Sequence, residues 1–338
     1  MTELKHTLDD LCTNLLITST CNAGCSWCIA NDYMKQQKSI KYMSDENFEK
    51  FYAMLSKDKL AQVNILGGEP SLHPRALGFG KKISELGIPV GFSTNGFWNK
   101  DFRKEFEHLD YPIDFEVTFL GSKGYTSQKR DQIIRTFEQL KGHSVSLGLI
   151  LASSKDTYKE HLDIAEKYGF DLRWAIMEPT CQTGQTEGYK AQDRLKGIGK
   201  LAIRIVKEAN ERGIETWADL TVPYCAIEDK DRHLFQRDEN DIQYKCPPFF
   251  DISTNLKIWR CLPMAPNETP SLTDFSSFRE AYNKINKIKK PYTSEGVFHE
   301  CGSCDKLETT CSGGPAIAKK LDKNDSTKIQ ILPIKRRS

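Results

Sequence analysis

The first 190 residues alternate between short β-prone runs and longer amphipathic stretches. Six runs predict strands, at Asn14–Thr18, Gln62–Leu66, Pro89–Ser93, Asp114–Phe119, Val145–Leu151 and Leu172–Met177. Helical spacing of apolar residues predicts the helices between them, among them Asp45–Leu55, Phe102–His108, Gln128–Leu140 and Thr157–Tyr168. Repeats of roughly 25–32 residues are typical of β–loop–α units, which form a parallel sheet covered on both faces. The pattern therefore predicts an α/β fold, a partial (β/α)6 barrel whose sheet stays open.

The pattern changes at about residue 221. Before it, a long helical stretch covers Tyr189–Arg212, and beyond it prolines, aromatic residues and cysteines become dense. Phe249–Ile252 and Lys257–Trp259 predict a hairpin, and Phe275–Lys289 predicts a helix. We therefore expect a barrel over residues 1–220, a small cysteine-rich subdomain over residues 221–314 and a basic tail over residues 315–338.

Charge narrows the classes of partner. The 338 residues include 48 lysines and arginines and 46 aspartates and glutamates, a balance that favours neither a nucleic-acid nor a membrane surface. The basic tail predicts a mostly solvated end, and a docking strip for an acidic partner is the alternative. Because the first residues lack a secretory h-region and no apolar run could span a bilayer, we expect a cytoplasmic protein. In a reducing compartment, eleven cysteines favour metal ligation or catalysis over disulfides.

Three of these cysteines follow the first predicted strand directly. Cys21, Cys25 and Cys28 have C-x3-C-x2-C spacing. Three thiolates leave one iron of a [4Fe–4S] cluster without a protein ligand, and an open iron is a binding site. Zinc is the alternative, but a closed zinc site needs a fourth ligand, and His6 is the only histidine before residue 35.

Gly67, Gly68 and Glu69 follow the second predicted strand. Paired glycines at a strand end let a ligand approach the backbone, and a carboxylate there can accept hydrogen bonds from an ammonium group. A tight turn before a helix is the alternative interpretation.

Together these motifs resemble the radical S-adenosylmethionine (SAM) superfamily, over residues 12–180. Cys21–Cys28, with Trp27 before the third cysteine, resembles its cluster signature, and Gly67–Pro70 resembles the motif that holds the methionyl amine. Two weaker likenesses follow. The turn Ser93–Gly96 offers Ser93 and Asn95 as candidate cofactor contacts, and Thr118 is a candidate ribose contact. The resemblance implies that SAM and a [4Fe–4S] cluster are cofactors, with Trp27 near adenine. It also implies one-electron cleavage to a 5′-deoxyadenosyl radical, which removes a substrate hydrogen, and an external electron donor such as a flavodoxin or ferredoxin.

A second group of cysteines lies between residues 246 and 311. Cys246 and Cys261 flank the predicted hairpin, and Cys301 and Cys304 have the spacing of a cluster or zinc clip. These four thiolates suffice for one closed [4Fe–4S] site, with Cys311 as an alternative ligand and zinc as the alternative metal. The region resembles the SPASM and twitch extensions of radical SAM enzymes. The resemblance implies one auxiliary [4Fe–4S] cluster, since Pro315 stands where a further cysteine is expected.

Glu178 and Cys181 follow the sixth predicted strand. They are candidate catalytic residues because loops at the carboxyl ends of barrel strands form the active-site face, although a plain surface loop is equally compatible. Cys12 is predicted to be a core residue and Cys225 a thiol without a special role.

The resemblance favours an enzyme that modifies a peptide in natural-product maturation, by crosslinking, thioether formation or epimerisation. Because Cys21 lies so near the first residue, we expect no peptide-docking domain before the barrel, which weakens that interpretation. A small-molecule dehydrogenase or epimerase acting on a sugar or cyclitol is the alternative. A non-enzymatic iron–sulfur sensor is a third hypothesis, but it leaves Gly67–Glu69 unexplained.

Overall fold

A computed structural model of the chain describes residues 11–37, 39–180, 183–219, 222–235, 244–245, 248–264, 269–289 and 295–322. Within these ranges the strands are β1 Cys12–Thr18, β2 Gln62–Gly67, β3 Val90–Thr94, β4 Asp114–Thr118, β5 Ser144–Leu151, β6 Asp171–Ile176, β7 Thr216–Ala218, β8 Phe249–Ile252 and β9 Ile258–Trp259. The helices are α1 Asn31–Gln36, α2 Asp45–Leu55, α3 Ala76–Glu85, α4 Lys100–Phe106, α5 Ser127–Leu140, α6 Lys159–Tyr168, α7 Glu187–Lys190, α8 Gln192–Glu211, α9 Phe278–Lys289 and α10 Ala316–Asp322.

The strands form one sheet in the order β7-β6-β5-β4-β3-β2-β1-β8-β9. Neighbouring strands are parallel from β7 through to β8, and only β9 pairs antiparallel to its neighbour. In the described part of the chain β7 and β9 are the two ends of this order, so the sheet stays open. The predicted α/β partial barrel is confirmed, with strands added at both edges of the six-stranded core.

The two faces of the sheet differ in chemistry. Val63 and Ile65 of β2 are fully buried, and against this face Phe48 of α2 stacks on Phe79 of α3 with ring centroids 3.9 Å apart. The alternate residues of the central strands are polar, and Asn64 donates to Asn14 across the sheet. Because side chains alternate between faces, the helices cover one apolar face and the polar residues line the concave interior.

The helix predicted over Tyr189–Arg212 is divided into α7 and α8 by Ala191, whose backbone is extended at φ −159° and ψ 147°. The segment after residue 221 joins the barrel sheet directly, since β8 pairs with β1 and places Phe249 opposite Cys12. The proposed domain boundaries stay a prediction. No helix among the described residues is long and apolar enough to cross a membrane.

The expectation of a solvated tail is wrong for its first residues. Ile317 and Ala318 of α10 are fully buried, and Lys319 is only 2% exposed. The apolar run Ala316–Ala318 packs inward, which the density of lysines around it obscured in the sequence. Residues 323–338 lie outside the described ranges.

Candidate functional site

The cysteine loop, residues 19–30, leaves the carboxyl end of β1. Cys21 is exposed, and Cys25 and Cys28 are partly buried. Gly24 has φ +75°, and no atom lies within 4 Å of the place where a Cβ would stand, so this residue turns the loop without crowding. The backbone N–H of Cys28 donates to the carbonyl of Cys25 at 3.3 Å. The three thiols therefore stand on a short, internally hydrogen-bonded loop.

The turn after β3 and helix α5 hold this loop in place. The amide of Asn22 donates to the carbonyl of Phe97 at 2.9 Å. The side-chain amide of Asn95 donates to Oδ1 of Asn22 at 2.9 Å and lies 3.6 Å from Sγ of Cys21. Nζ of Lys129 donates to the carbonyls of Asn22 and Ala23, each at 3.2 Å. The first cysteine is thus positioned by residues more than 70 positions away in the chain.

The paired glycines bring the ends of β1 and β2 together. The N–H of Gly68 donates to the carbonyl of Thr18 at 2.8 Å, and the N–H of Glu69 donates to the carbonyl of Thr20 at 2.7 Å. A Cβ at Gly67 would clash with the carbonyl oxygen of Thr18, and one at Gly68 with that of Thr20. The backbone that approaches these glycines most closely is therefore the start of the cysteine loop.

Glu69 is 1% exposed, and its carboxylate accepts three hydrogen bonds from the described residues. Oε1 accepts from the hydroxyl of Thr94 at 2.7 Å and from the N–H of Ser71 at 3.1 Å, while Oε2 accepts from the N–H of Asn95 at 2.7 Å. Burial raises the pKa of Glu69, and these hydrogen bonds oppose the rise. The geometry gives the carboxylate a positioning role, because it fixes Asn95, which in turn contacts the cysteine loop.

The other predicted site residues lie around the same edge of the sheet. The hydroxyl of Ser93 donates to Oε2 of Glu116 at 2.6 Å. Thr118 is the last residue of β4, opposite Gly148, and Trp27 is half-buried in the cysteine loop. Glu178 is buried two residues beyond the end of β6. Cys181 and Cys246 lie outside the described residues.

Burial raises the pKa of two of the loop thiols. It raises the pKa of Cys28 to about 11. It also raises the pKa of Cys25, where Cys21 adds to the rise and Lys129 opposes it. Thiolates are the metal-binding form, so metal binding here must release protons. Three thiols on one hydrogen-bonded loop, with Cys21 exposed, fit a cluster that keeps one iron open.

The structure also reveals an interior charge network that the sequence did not indicate. Arg173 of β6 pairs with Asp219 and lies 3.7 Å from Glu116. Its Nε is buried without a hydrogen-bond partner among the described residues, and its guanidinium lies 5.6 Å from the ring centroid of Trp217. In the sequence, the alternation of polar and apolar residues along a strand did not distinguish these charged side chains from ones that face solvent.

In the cysteine-rich region the structure describes Cys261, Cys301, Cys304 and Cys311, and their predicted role as ligands of an auxiliary cluster stays a prediction. Cys261 follows β9 with φ +79° and packs against Met264, Ala316 and Ile317. Cys301 and Cys304 lie on and just after a 3₁₀ turn, His299–Ser303. Cys311 is 6% exposed, and Cys225, which the sequence left without a role, lies within electrostatic range of it.

Comparisons with known proteins agree with this arrangement. Residues 15–166 match the model of the Radical SAM superfamily. The chain is 30% identical over 208 residues to a GTP 3′,8-cyclase of Campylobacter jejuni, covering 57% of this chain and 64% of that protein. It is 24% identical over 169 residues to the tungsten-containing aldehyde ferredoxin oxidoreductase cofactor-modifying protein of Pyrococcus furiosus, covering 45% of this chain and 46% of the relative. The alignments thus span less than two thirds of each relative's length.

Solved structures share the fold at low sequence identity. Streptococcus suis SuiB bound to the precursor peptide SuiA superposes with a TM-score of 0.62 at 17% identity, over 90% of this chain and 71% of SuiB. The anSMEcpe structure with bound AdoMet superposes with a TM-score of 0.61 at 15% identity, over 95% of this chain and 93% of that one.

Proposed function

Because the chain carries a Radical SAM superfamily domain over residues 15–166, we propose that it cleaves SAM reductively at a cluster held by Cys21, Cys25 and Cys28. The observation that carries the proposal is the meeting of three strand ends. Gly68 after β2 is hydrogen-bonded to the end of β1, and the cysteine loop is hydrogen-bonded to Glu69 after β2 and to Asn95 after β3. Ligands of open α/β sheets bind at the carboxyl ends of the strands, where these three segments stand.

When bound, a [4Fe–4S] cluster with one open iron supplies the electron that cleaves SAM to methionine and a 5′-deoxyadenosyl radical, which then removes a substrate hydrogen. The chain's own residues hold the cysteine loop in position for that cluster. Glu69 holds Asn95, and Asn95 holds Asn22 and the sulfur of Cys21. Lys129 anchors the other side of the loop and places a cation beside the thiols. Trp27 and Thr118 are proposed as adenine and ribose contacts.

We propose a peptide as the substrate. The open sheet leaves a lateral entrance to the interior, and the fold resembles that of SuiB, whose structure was solved with a precursor peptide. Glu178, buried at the end of β6, is proposed to contact the substrate or act as a base, with Cys181 in the same loop. An external one-electron donor and an auxiliary cluster in the cysteine-rich region complete the proposal.

A polar small molecule is the second candidate substrate. The group Glu116, Arg173 and Asp219 favours it. These charges are partly buried, and Nε of Arg173 has no hydrogen-bond partner among the described residues, which suits a compact, hydrogen-bonding ligand. The sequence relative from Campylobacter jejuni is named for chemistry on GTP.

Anaerobic reconstitution tests the core of the proposal. With dithionite and SAM, the purified chain should release 5′-deoxyadenosine, whereas a Cys28→Ala variant should release none. Cys12→Ala is a matched control, since Cys12 is a partly buried thiol at the start of β1, seven residues from the loop. Methyl transfer from SAM without any 5′-deoxyadenosine would refute this chemistry.

A deuterium experiment separates the two substrates. Peptides encoded beside the gene, or polar metabolites from the host, are deuterated and incubated with the active protein. Deuterium in 5′-deoxyadenosine identifies the molecule from which hydrogen is removed. Transfer from a metabolite and from none of the peptides would overturn the peptide proposal.

A further inference from the structure

One carboxylate of the sheet interior has an oxygen without a partner among the described residues. Glu116 is the third residue of β4, and the two groups that contact its carboxylate both lie at Oε2. The hydroxyl of Ser93 donates to that oxygen at 2.6 Å, and Nη1 of Arg173 lies 3.7 Å from it. Oε1 accepts no hydrogen bond from the described residues and is not enclosed by them. Because the side chain is 25% exposed, a ligand in the interior can reach Oε1.

Glu116 lies next to the proposed ribose contact. Thr118 is two residues further along β4, so the two side chains stand on the same face of the sheet. Two residues of a strand span about 6.6 Å. On the neighbouring strands Ser93 and Ser146 stand opposite Glu116, and both are small. The open oxygen therefore lies one pleat from the place proposed for SAM, on the side of the amino ends of the strands.

Gly148 leaves room for a ligand beside this oxygen. It stands in β5 between Thr118 on one side and Arg173 on the other. A Cβ at Gly148 would lie 3.4 Å from the carbonyl oxygen of Val117 and 3.7 Å from Nη1 of Arg173, which are ordinary contacts. Its φ lies outside the left-handed region, so neither packing nor backbone requires a glycine here. A glycine inside a strand often marks the close approach of a ligand.

The charges around Arg173 select the sign of that ligand. Nη2 of Arg173 donates to Asp219, whereas Nη1 stays 3.7 Å from Glu116, beyond hydrogen-bond distance. Trp217 lies beside the guanidinium, 5.6 Å from it, and its Nε1 donates to Ser146 at 3.2 Å. Arg173 is thus fixed between two carboxylates and lies closer to Asp219. An anionic ligand would be repelled by both carboxylates, whereas a cation gives Glu116 a direct partner.

We propose that Oε1 of Glu116 binds a protonated amine of the substrate and so positions the substrate beside SAM. The inference deepens the proposed function and rests on it. An ammonium group donates charge-assisted hydrogen bonds to a carboxylate, which are roughly twice as strong as those of a neutral hydroxyl. Ser93 and Arg173 are positioning residues, because they hold Oε2 and leave Oε1 for the ligand. The amine belongs either to a peptide, as a lysine side chain or amino terminus, or to a polar small molecule.

The test removes the positive charge from the substrate. Deuterated peptides encoded beside the gene form one pool, and deuterated polar metabolites from the host form another. Part of each pool is treated with acetic anhydride, which converts amines into neutral amides. With the reconstituted full chain, dithionite and SAM, we expect acetylation to lower deuterium transfer to 5′-deoxyadenosine about tenfold. The pool from which deuterium is transferred identifies the source of the amine.

Glu116→Gln tests whether the preference for the amine arises at this residue. The amide keeps the size of the side chain and an acceptor for Ser93 but removes the charge. The ratio of transfer from untreated to acetylated substrate should fall from about ten to about two. Asp114→Asn is the matched control, since Asp114 is exposed at the start of the same strand and should keep the wild-type ratio. A wild-type ratio in Glu116→Gln would overturn the assignment to Glu116.

The outcomes for the unaltered chain separate this inference from the proposed function. Deuterium transfer at equal rates from untreated and acetylated substrate would overturn the inference and leave the proposed function intact. A wild type that forms no 5′-deoxyadenosine would overturn the proposed function and the inference with it. Because this comparison needs no variant, it is decisive even if Glu116→Gln fails to fold.

Discussion

The two cysteine-rich regions of this protein are built in opposite ways. The N-terminal thiols are local, since Cys21, Cys25 and Cys28 share one loop, and long-range contacts from Asn95 and Lys129 only steady it. In the C-terminal region the described cysteines lie on separate segments: Cys225 follows α8, Cys311 precedes α10, and the N–H of Tyr224 donates to Sγ of Cys311 at 3.4 Å.

The difference has a functional logic. A cluster that must expose an iron to a small cofactor needs few ligands and free space beside them, which the exposed Cys21 and the empty surroundings of Gly24 provide. In the C-terminal region Cys311 and Lys319 are buried, and the ammonium of Lys319 donates to the carbonyl of Ser312. The first site is accessible, whereas the second joins separate segments of the chain.

The largest expected effect comes from removing the N-terminal thiols while the C-terminal cysteines stay intact. Changing Cys21, Cys25 and Cys28 to alanine should lower 5′-deoxyadenosine formation below detection, because the cluster whose open iron binds SAM is lost. Reconstituted protein should still hold about four of the wild type's roughly eight irons. Loss of all iron from this variant would mean that the two regions assemble as one unit.

Gly68→Ala should have the next largest effect. Its Cβ would clash with the carbonyl of Thr20, and backbone cannot yield as a flexible side chain does. We expect a cost of about 1–3 kcal/mol in the free energy of unfolding and at least a tenfold loss of SAM cleavage. Gly78→Ala in α3 is the control, since only a distant side-chain atom of Arg75 lies near its Cβ.

The readouts for Gly68→Ala are the urea midpoint and the rate of 5′-deoxyadenosine formation. Iron content after Cys21, Cys25 and Cys28 are removed should be the same with and without this change. Full activity in Gly68→Ala would show that the approach of β1 and β2 is not needed at the site.

Glu69→Gln should have a smaller effect, because it disturbs only the hydrogen bonds at the ends of β2 and β3. An amide has one acceptor oxygen, so its NH2 group must face either the N–H of Asn95 or the donors from Ser71 and Thr94. The mismatch should cost about 1–3 kcal/mol and weaken SAM binding about tenfold, measured by calorimetry. Glu107→Gln, an exposed change at the end of α4, should alter neither quantity. Unchanged binding in Glu69→Gln would remove Glu69 from the positioning role.

The smallest expected effect is a loss of stability at low pH, which two histidines of the barrel cause. His73 has Nε2 against the carbonyl of Met43 and Nδ1 accepting from the N–H of Arg75, and His161 has Nε2 against the carbonyl of Phe119. Burial lowers the pKa of both. The unfolded chain therefore binds their protons first, so stability is full above pH ~6.5 and falls as the pH drops toward the folded pKa values.

Each of the two histidines should contribute up to about 1.4 kcal/mol per pH unit to that slope. Urea titrations of the metal-free chain at several pH values measure it. His161→Gln should flatten the slope, whereas His108→Gln, at an exposed position, should not. An unchanged slope in His161→Gln would contradict this origin of acid sensitivity.

The periodicity of apolar residues along the chain predicted the strands of the barrel core and helix α2. The strands of the barrel core and helix α2 lie within a residue or two of their predicted bounds, because buried strands and amphipathic helices have clear periods. β7, with three residues, and α10, apolar within a lysine-rich segment, are too short for a period to distinguish. The cysteine loop was visible because its ligands are adjacent in sequence. The pairing of Arg173 with Asp219 was not, because only the folded chain brings these two residues together.

The position of β1 has a consequence for how the protein is made. β1 lies between β2 and β8 in the sheet, and its hydrogen-bonding partners in β8 are 237 residues further along the chain. At about 5–20 residues per second, the ribosome completes β8 roughly 12–47 s after β1. Throughout that interval the backbone edge of β1 that faces β8 has no partner. The strand also contains Leu15, Leu16 and Ile17, which are fully buried in the folded protein. A nascent chain in this state is a target for chaperones, and slowing translation between residues 18 and 249 should raise the fraction that aggregates.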